Sequence, residues 1–108
     1  MNDKGTQSDW KKFKVIRERA LERLCERALD DLSKVAADAS ATYHERYLQV
    51  FEQIKHYDKQ IADGFDYLSR SKMLQQIAYA RSLKLITDDE LAEFTQQTQD
   101  YVARFVEG

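Results

Sequence analysis

Residues 43–68 read YHERYLQVFEQIKHYDKQIADGFDYL, and this stretch decides the fold of the whole chain. Its apolar and aromatic residues recur at steps of three and four, which places them on one side of an α-helix. Thr42 and Glu45 form a Thr-x-x-Glu capping box at its start, a signal typical of the first turn of a helix. Because a helix with one apolar stripe must bury that stripe, we predict helical segments on either side of it.

Composition narrows the class of protein. The chain has 108 residues, no proline, three glycines and 33% charged residues, which favours one domain of long, uninterrupted helices. Its net charge of −2 argues against a dedicated nucleic-acid or membrane-surface protein. The single cysteine, Cys25, excludes an intrachain disulfide and favours a reducing compartment. No apolar run approaches the ~18 residues of a membrane span, so we expect a cytoplasmic location.

The pattern predicts three helices, over about 9–37, 43–84 and 88–106. Ser8 is a plausible N-cap of the first, where Asp9 is favourable at the positive end of the helix. Residues 1–7 carry no pattern and are expected to be a disordered tail, which leaves 8–108 as a single helical domain. Because the link at 38–41 is short, the first two helices should form an antiparallel hairpin.

The exposed side of the first helix carries arginines and glutamates at regular helical spacing. Arg19 and Glu22, like Arg23 and Glu26, are three residues apart and favour pairs within the helix. We interpret this side as a solvated helix face.

The middle segment leaves an alternative open. The three-and-four spacing of its apolar residues is interrupted after Leu68. The helix therefore either breaks near 69–72 or continues with its apolar residues on a new face, towards a different partner. The absence of proline or a turn cluster favours continuity, and Gly64 inside the helix costs only about 1 kcal/mol. Residues 67–86 carry four basic and no acidic side chains, whereas residues 87–108 carry six acidic and one basic. We therefore expect the third helix to fold back onto the end of the second.

A second capping box marks the start of the third helix. Thr87 and Glu90 repeat the Thr-x-x-Glu pattern, while Ile86 and Leu91 fit a hydrophobic staple. Thr95 is assigned to the interior of this helix, with a weakening of the pattern over 95–98.

Two resemblances are carried by these residues. Residues 83–94, Leu-Lys-Leu-Ile-Thr-Asp-Asp-Glu-Leu-Ala-Glu-Phe, resemble the helix-turn-helix of bacterial oligomerisation modules called SHOCT domains, with Lys84 where those modules usually have glycine. Residues 44–48, 65–71 and 81–87 together resemble small uncharacterised bacterial helical proteins. The resemblances imply an all-helical fold and an oligomerisation segment, and they imply no particular activity.

The sequence contains no recognisable catalytic, cofactor or metal constellation. His44 and His56 are twelve residues apart, whereas a metal pair on one helix requires a spacing such as i, i+4. Cys25 lies on the apolar stripe of the first helix, where a thiol behaves as a small hydrophobe. A glycine-rich phosphate loop and a nucleophile elbow are absent from the sequence. We predict a non-enzymatic protein without cofactor or metal.

The favoured hypothesis is a protein–protein interaction or adaptor module with a three-helix antiparallel bundle. Long helices in a short chain leave apolar surface uncovered, and a second copy would bury it in a homodimer. The protein partner of such an adaptor stays unidentified. The predicted interface residues are Tyr67, Met73, Leu74 and Ile77.

The alternative hypothesis is a regulatory nucleic-acid-binding protein. Basic residues at the start of the first helix flank Trp10 and Phe13, and others lie near the end of the second helix. Basic side chains beside aromatic rings are typical of phosphate contacts and base stacking. The predicted phosphate contacts are Lys11, Lys12, Lys14, Arg70, Lys72 and Arg81.

Overall fold

A computed structural model of the chain describes residues 3–107, with side chains over 7–106, and every regular element in this part is helical, as predicted. The three predicted helices are five in this range, because two of them are interrupted. The first helix begins at Asp3 rather than near Asp9, and Met1 and Asn2 of the predicted tail lie outside the described residues. The elements are α1 (Asp3–Ala36), α2 (Tyr43–Phe65), a 3-10 turn (Arg70–Lys72), α3 (Met73–Ser82), α4 (Asp88–Leu91) and α5 (Gln96–Glu107).

Helices α1 and α2 form the predicted antiparallel hairpin. The first capping box is confirmed: Thr42 Oγ1 accepts a hydrogen bond from the Glu45 amide at 3.1 Å, and Glu45 Oε1 accepts one from the Thr42 amide at 2.9 Å. Across the hairpin, the Tyr57 hydroxyl donates to the Asp31 carboxylate. The hairpin is thus fixed by a local cap at its turn and by side-chain contacts between its helices.

The predicted continuity of residues 43–84 is wrong, because α2 ends at Phe65 and α3 starts at Met73. Side chains distant in sequence take up the carbonyl groups freed by this break: Arg17 donates to the Phe65 carbonyl, and Gln76 Nε2 donates to the Tyr67 carbonyl at 2.6 Å.

A close helix crossing accompanies the break. Gly64 lies against the ring of Tyr79, where an added Cβ would stand 2.6 Å from Tyr79 Cδ2. A larger residue than glycine would therefore require the Tyr79 ring to move.

The core occupies one end of the molecule, termed the head. Its side chains come from the first two thirds of α1, the last turn of α2, α3, and the segments that precede and form α5. They are Phe13, Ile16, Ala20, Leu24, Phe65, Met73, Ile77, Ala78, Ala80, Leu85, Ile86, Phe94 and Val102.

A Schellman motif ends α3. The Leu85 amide donates to the Ala80 carbonyl at 3.0 Å, and the Lys84 amide donates to the Arg81 carbonyl at 2.9 Å. Lys84 has a φ of 60°, in the left-handed region that glycine enters more easily. Lys84 therefore adopts a conformation that costs roughly 1–2 kcal/mol.

The third predicted helix, 88–106, is divided into α4 and α5. The second capping box is confirmed, since Thr87 Oγ1 accepts from the Glu90 amide at 3.1 Å and Glu90 Oε1 accepts from the Thr87 amide at 3.0 Å. Helix α4 lasts one turn, and Thr95 lies directly before α5 rather than inside a helix.

Buried Asp9 fixes the start of α5. Its carboxylate accepts hydrogen bonds from the Thr95 amide at 2.9 Å, the Thr95 hydroxyl at 2.7 Å and the Thr98 hydroxyl at 2.6 Å. Asp9 therefore supports the N-terminus of α5 and not, as predicted, that of α1.

The expected fold-back of the acidic C-terminal segment is confirmed. Helix α5 packs against α3, and Arg81 of α3 forms an ion pair with Asp88 at the start of α4. The same Arg81 donates to the Ile86 carbonyl at 2.6 Å, so one side chain holds both sides of the turn.

The molecule is elongated, with dimensions of 57 × 24 × 23 Å. Its radius of gyration is 16.8 Å, against about 13 Å for a compact chain of this length. The distal part of the α1–α2 hairpin, residues 28–57, contains no buried residue and is termed the hairpin arm. None of the helices in the described range has a stretch long and apolar enough to cross a membrane.

Candidate interaction surfaces

The structure separates the four predicted interface residues. Met73 and Ile77 are 2% and 0% exposed and lie in the core of the head, so a second copy does not reach them in this fold. Leu74 is half-buried against the core, and Tyr67 is exposed. The apolar surface that the chain leaves uncovered lies mainly elsewhere, on the hairpin arm.

One side of α2 faces away from α1 and is termed the α2 outer face. The opposite side contacts α1, where Tyr57 donates to Asp31 and Arg46 Nη1 donates to the Ala36 carbonyl at 3.2 Å. The α2 outer face consists of seven exposed residues: His44, Tyr47, Leu48, Phe51, Ile54, Lys55 and Asp58.

Large apolar side chains dominate this face. Tyr47 is 68% exposed and Phe51 is 51% exposed, while Leu48 and Ile54 lie beside them at 47% and 44%. Single exposed apolar residues are common on soluble proteins, but a contiguous patch marks an interaction site.

The residues on the two sides of Phe51 in the α2 outer face form a self-complementary order, in which each residue before Phe51 has a suitable partner at the same distance after it. Leu48 and Ile54 lie three residues to either side of it, and Tyr47 and Lys55 lie four residues to either side. In two antiparallel copies related by a two-fold axis at Phe51, each residue would face its counterpart from the other copy. Such a pairing would set apolar side chains against apolar ones and the Lys55 ammonium against the Tyr47 ring, and both kinds of contact are favourable.

The six predicted phosphate contacts do not form one patch. Lys12 Nζ donates to the Glu93 carbonyl at 2.6 Å, and Arg81 is held at the α3–α4 turn. Lys72 Nζ lies 5.3 Å from the ring centroid of Tyr67, in another part of the head. The remaining three cations, Lys11, Lys14 and Arg70, come together.

These three cations line a surface pocket of about 590 Å³ with Trp10, Gln7 and Ser8, termed the basic pocket. Lys14 Nζ lies 5.7 Å from the Trp10 ring centroid. Within residues 7–106, none of the three cations forms an ion pair. The pocket therefore combines unneutralised positive charge with an aromatic ring.

A partly buried ion pair was missed by the sequence analysis, which placed Arg19 and Arg23 on a solvated face: the Glu90 side chain is 7% exposed and that of Arg23 is 36% exposed. Arg23 instead makes a two-point contact to Glu90, with Nη1–Oε1 at 2.6 Å and Nη2–Oε2 at 2.9 Å, and Arg19 Nη1 stands 3.5 Å from Glu90 Oε2. The hydrogen bonds from Arg23 outweigh burial and lower the pKa of Glu90 from 4.5 to about 2. Arg23 also donates to the Leu85 carbonyl at 2.8 Å, so it fastens α1 to the α3–α4 turn.

Comparison of this chain with protein-family models, with curated proteins and with solved structures finds no match.

Proposed function

We propose that this protein is a non-enzymatic, self-associating interaction module whose copies pair through their α2 outer faces. The observation that carries the proposal is the row of four exposed apolar side chains on a helix that the chain itself leaves uncovered. Burying such side chains stabilises association by about 25 cal/mol for each Å² of apolar surface removed from water. A homodimer buries the row on both copies at once.

The self-complementary order of residues favours an antiparallel pair with its two-fold axis at Phe51. The two α2 helices then pack against each other, with one α1 on the far side of each, and their apolar faces cover one another. Tyr47 of each copy meets Lys55 of the other, which adds cation–π contacts at the edges of the apolar row.

Such a dimer has the geometry of an adaptor. Since the head lies at the C-terminal end of α2, antiparallel pairing places the two heads at opposite ends of the assembly. Each head keeps its surface free, and the dimer presents two copies of that surface to further partners. The proposed contact moves the dimer interface from the predicted residues near α3 to the hairpin arm.

The first test is the oligomeric state measured by analytical ultracentrifugation. We expect the unaltered protein to be dimeric at tens of micromolar, and Phe51→Asp to be monomeric because it places a carboxylate at the two-fold axis. The matched control is Val15→Asp, since Val15 is also 51% exposed but lies on α1 in the head. A monomeric unaltered protein, or a Phe51→Asp variant that remains dimeric, would contradict the proposal.

A second experiment tests whether residue 51 of one copy faces residue 51 of the other. In a Cys25→Ala background, Phe51→Cys should form an intermolecular disulfide on mild oxidation, because a residue at a two-fold axis meets itself. The control Val15→Cys should remain reduced. A dimer that does not cross-link at position 51 would overturn the register while retaining the association.

A further inference from the structure

We propose that the basic pocket binds single-stranded nucleic acid, with a base against Trp10 and backbone phosphates on Lys11, Lys14 and Arg70. This inference goes beyond self-association and concerns a separate surface, in the head rather than on the hairpin arm. Of the six phosphate contacts predicted from the sequence, only the three that line this pocket belong to the proposed site.

The pocket depends on the break between α2 and α3. Lys11 and Lys14 lie one turn apart on α1, a rise of about 4.5 Å along the helix. Arg70 is brought beside them by the 3-10 turn that follows the end of α2. A continuous helix over 43–84 would have no such turn.

The charges favour an anionic ligand. Three cations around one pocket repel one another, and no carboxylate is found among its lining residues in the described part of the chain. A phosphate backbone supplies negative charge at regular intervals, and its binding releases counterions.

Trp10 distinguishes a nucleic acid from other anions. Its ring is partly buried against the core, and the Lys14 ammonium stands 5.7 Å from the ring centroid in the pocket lining, so the ring borders both the core and the pocket. Bases stack on such rings whatever their sequence, and stacking on one aromatic residue commonly supplies about 1–3 kcal/mol per base. An acidic peptide lacks the flat base, and a duplex keeps its base faces covered.

The single tryptophan of the chain provides a direct probe. We expect titration with a short oligothymidylate at low salt to quench Trp10 fluorescence in a saturable manner. With three phosphate contacts, the logarithm of the affinity should fall with the logarithm of salt concentration with a slope of about −2. A duplex of the same length and polyglutamate should bind more weakly and leave the fluorescence unchanged.

Variants separate the phosphate contacts from stacking. Lys14→Gln and Arg70→Gln should each weaken binding and reduce the magnitude of the salt slope by about 0.7. Lys34→Gln is the matched control, because it removes the same charge from an exposed lysine in the hairpin arm. Trp10→Leu, followed by anisotropy of a labelled oligonucleotide, should lose about tenfold in affinity with an unchanged slope.

The proposal would be overturned by unchanged fluorescence and anisotropy at low salt, or by a salt slope that Lys14→Gln and Arg70→Gln leave intact. Equal binding of polyglutamate and oligothymidylate would also overturn it, since the pocket would then recognise negative charge without bases. The Phe51→Asp variant should keep full binding per chain, so a failure here is distinguishable from a failure of the dimer.

Discussion

At the residue scale, Glu90 connects two elements that lie apart in the sequence, α1 and α4. Its carboxylate closes the capping box of α4, and it accepts two hydrogen bonds from Arg23 of α1. The Glu90 side chain is 7% exposed and the Arg23 side chain is 36% exposed, so water screens this ion pair less than a pair on the open surface. Removal of either partner would leave a charge in a partly dry environment.

The Glu90 ion pair makes stability depend on acid. The pKa of Glu90 is about 2 in the folded chain, whereas its ordinary value is 4.5. Its contribution to the free energy of unfolding is therefore complete above about pH 4.5 and is lost as the pH falls towards 2. A difference of this size corresponds to about 3 kcal/mol in the free energy of unfolding. Urea denaturation at several pH values should show this loss.

Glu90→Gln should lower stability near neutral pH and remove most of the decline in acid. Glu18→Gln, at an exposed position of α1, serves as the control and should leave the decline unchanged. An unaltered acid profile in Glu90→Gln would mean that other carboxylates carry the acid sensitivity.

At the element scale, the start of α5 depends on a residue of α1. Thr95 precedes the helix, and its amide and hydroxyl both donate to buried Asp9. The N-terminus of a helix carries unsatisfied amides and a partial positive charge, and a carboxylate there satisfies both. The contact therefore fixes where α5 begins and how it lies against α1.

Thr95→Ala should destabilise the protein by about 1–2 kcal/mol, because it removes the hydroxyl donor to buried Asp9 and leaves only the backbone amide of residue 95 in this contact. Thr87→Ala, at the other cap, should cost about 1 kcal/mol. The sequence alone predicts the reverse for Thr95, since alanine in a helix interior is neutral or favourable. Chemical denaturation of both variants decides between the two.

Gln97→Ala is the control for this comparison, because Gln97 is exposed in the first turn of α5. It should lie within about 0.5 kcal/mol of the unaltered protein. A Thr95→Ala midpoint equal to that of Gln97→Ala would show that the Asp9 contact does not stabilise the head.

At the scale of the whole molecule, the head and the hairpin arm differ in burial. The head contains all thirteen residues of the apolar core, whereas residues 28–57 contribute none of them. Segments with few buried contacts open locally at a lower free-energy cost than the core. The arm should therefore be the less stable part of an isolated chain.

Hydrogen exchange tests this difference. In the Phe51→Asp variant, amides of the hairpin arm should exchange well before those of Leu24 and Ile77 in the core. In the unaltered protein, protection of the arm should increase with protein concentration, because dimerisation covers it by mass action. Equal protection of arm and head at all concentrations would contradict both the stability difference and the role of the arm in association.

The sequence by itself determined the helical class, the hairpin, both capping boxes and the fold-back of the acidic end. These features depend on contacts within a few residues or on the charge of whole segments. Thr42 and Glu45 are three residues apart and cap α2 wherever that helix packs. Periodicity and short-range hydrogen bonds are visible in the sequence because their partners are neighbours in it.

Only the tertiary structure decided where the helices break and which charged groups remain available to a ligand. The end of α2 depends on Arg17, 48 residues from the Phe65 carbonyl, and the start of α5 depends on Asp9, 89 residues from Thr98. The same packing buries Met73 and Ile77, engages Lys12 and Arg81, and leaves Lys11, Lys14 and Arg70 around one pocket. A backbone group freed at a helix end must find a partner, and here that partner comes from a helix that chain folding brings alongside.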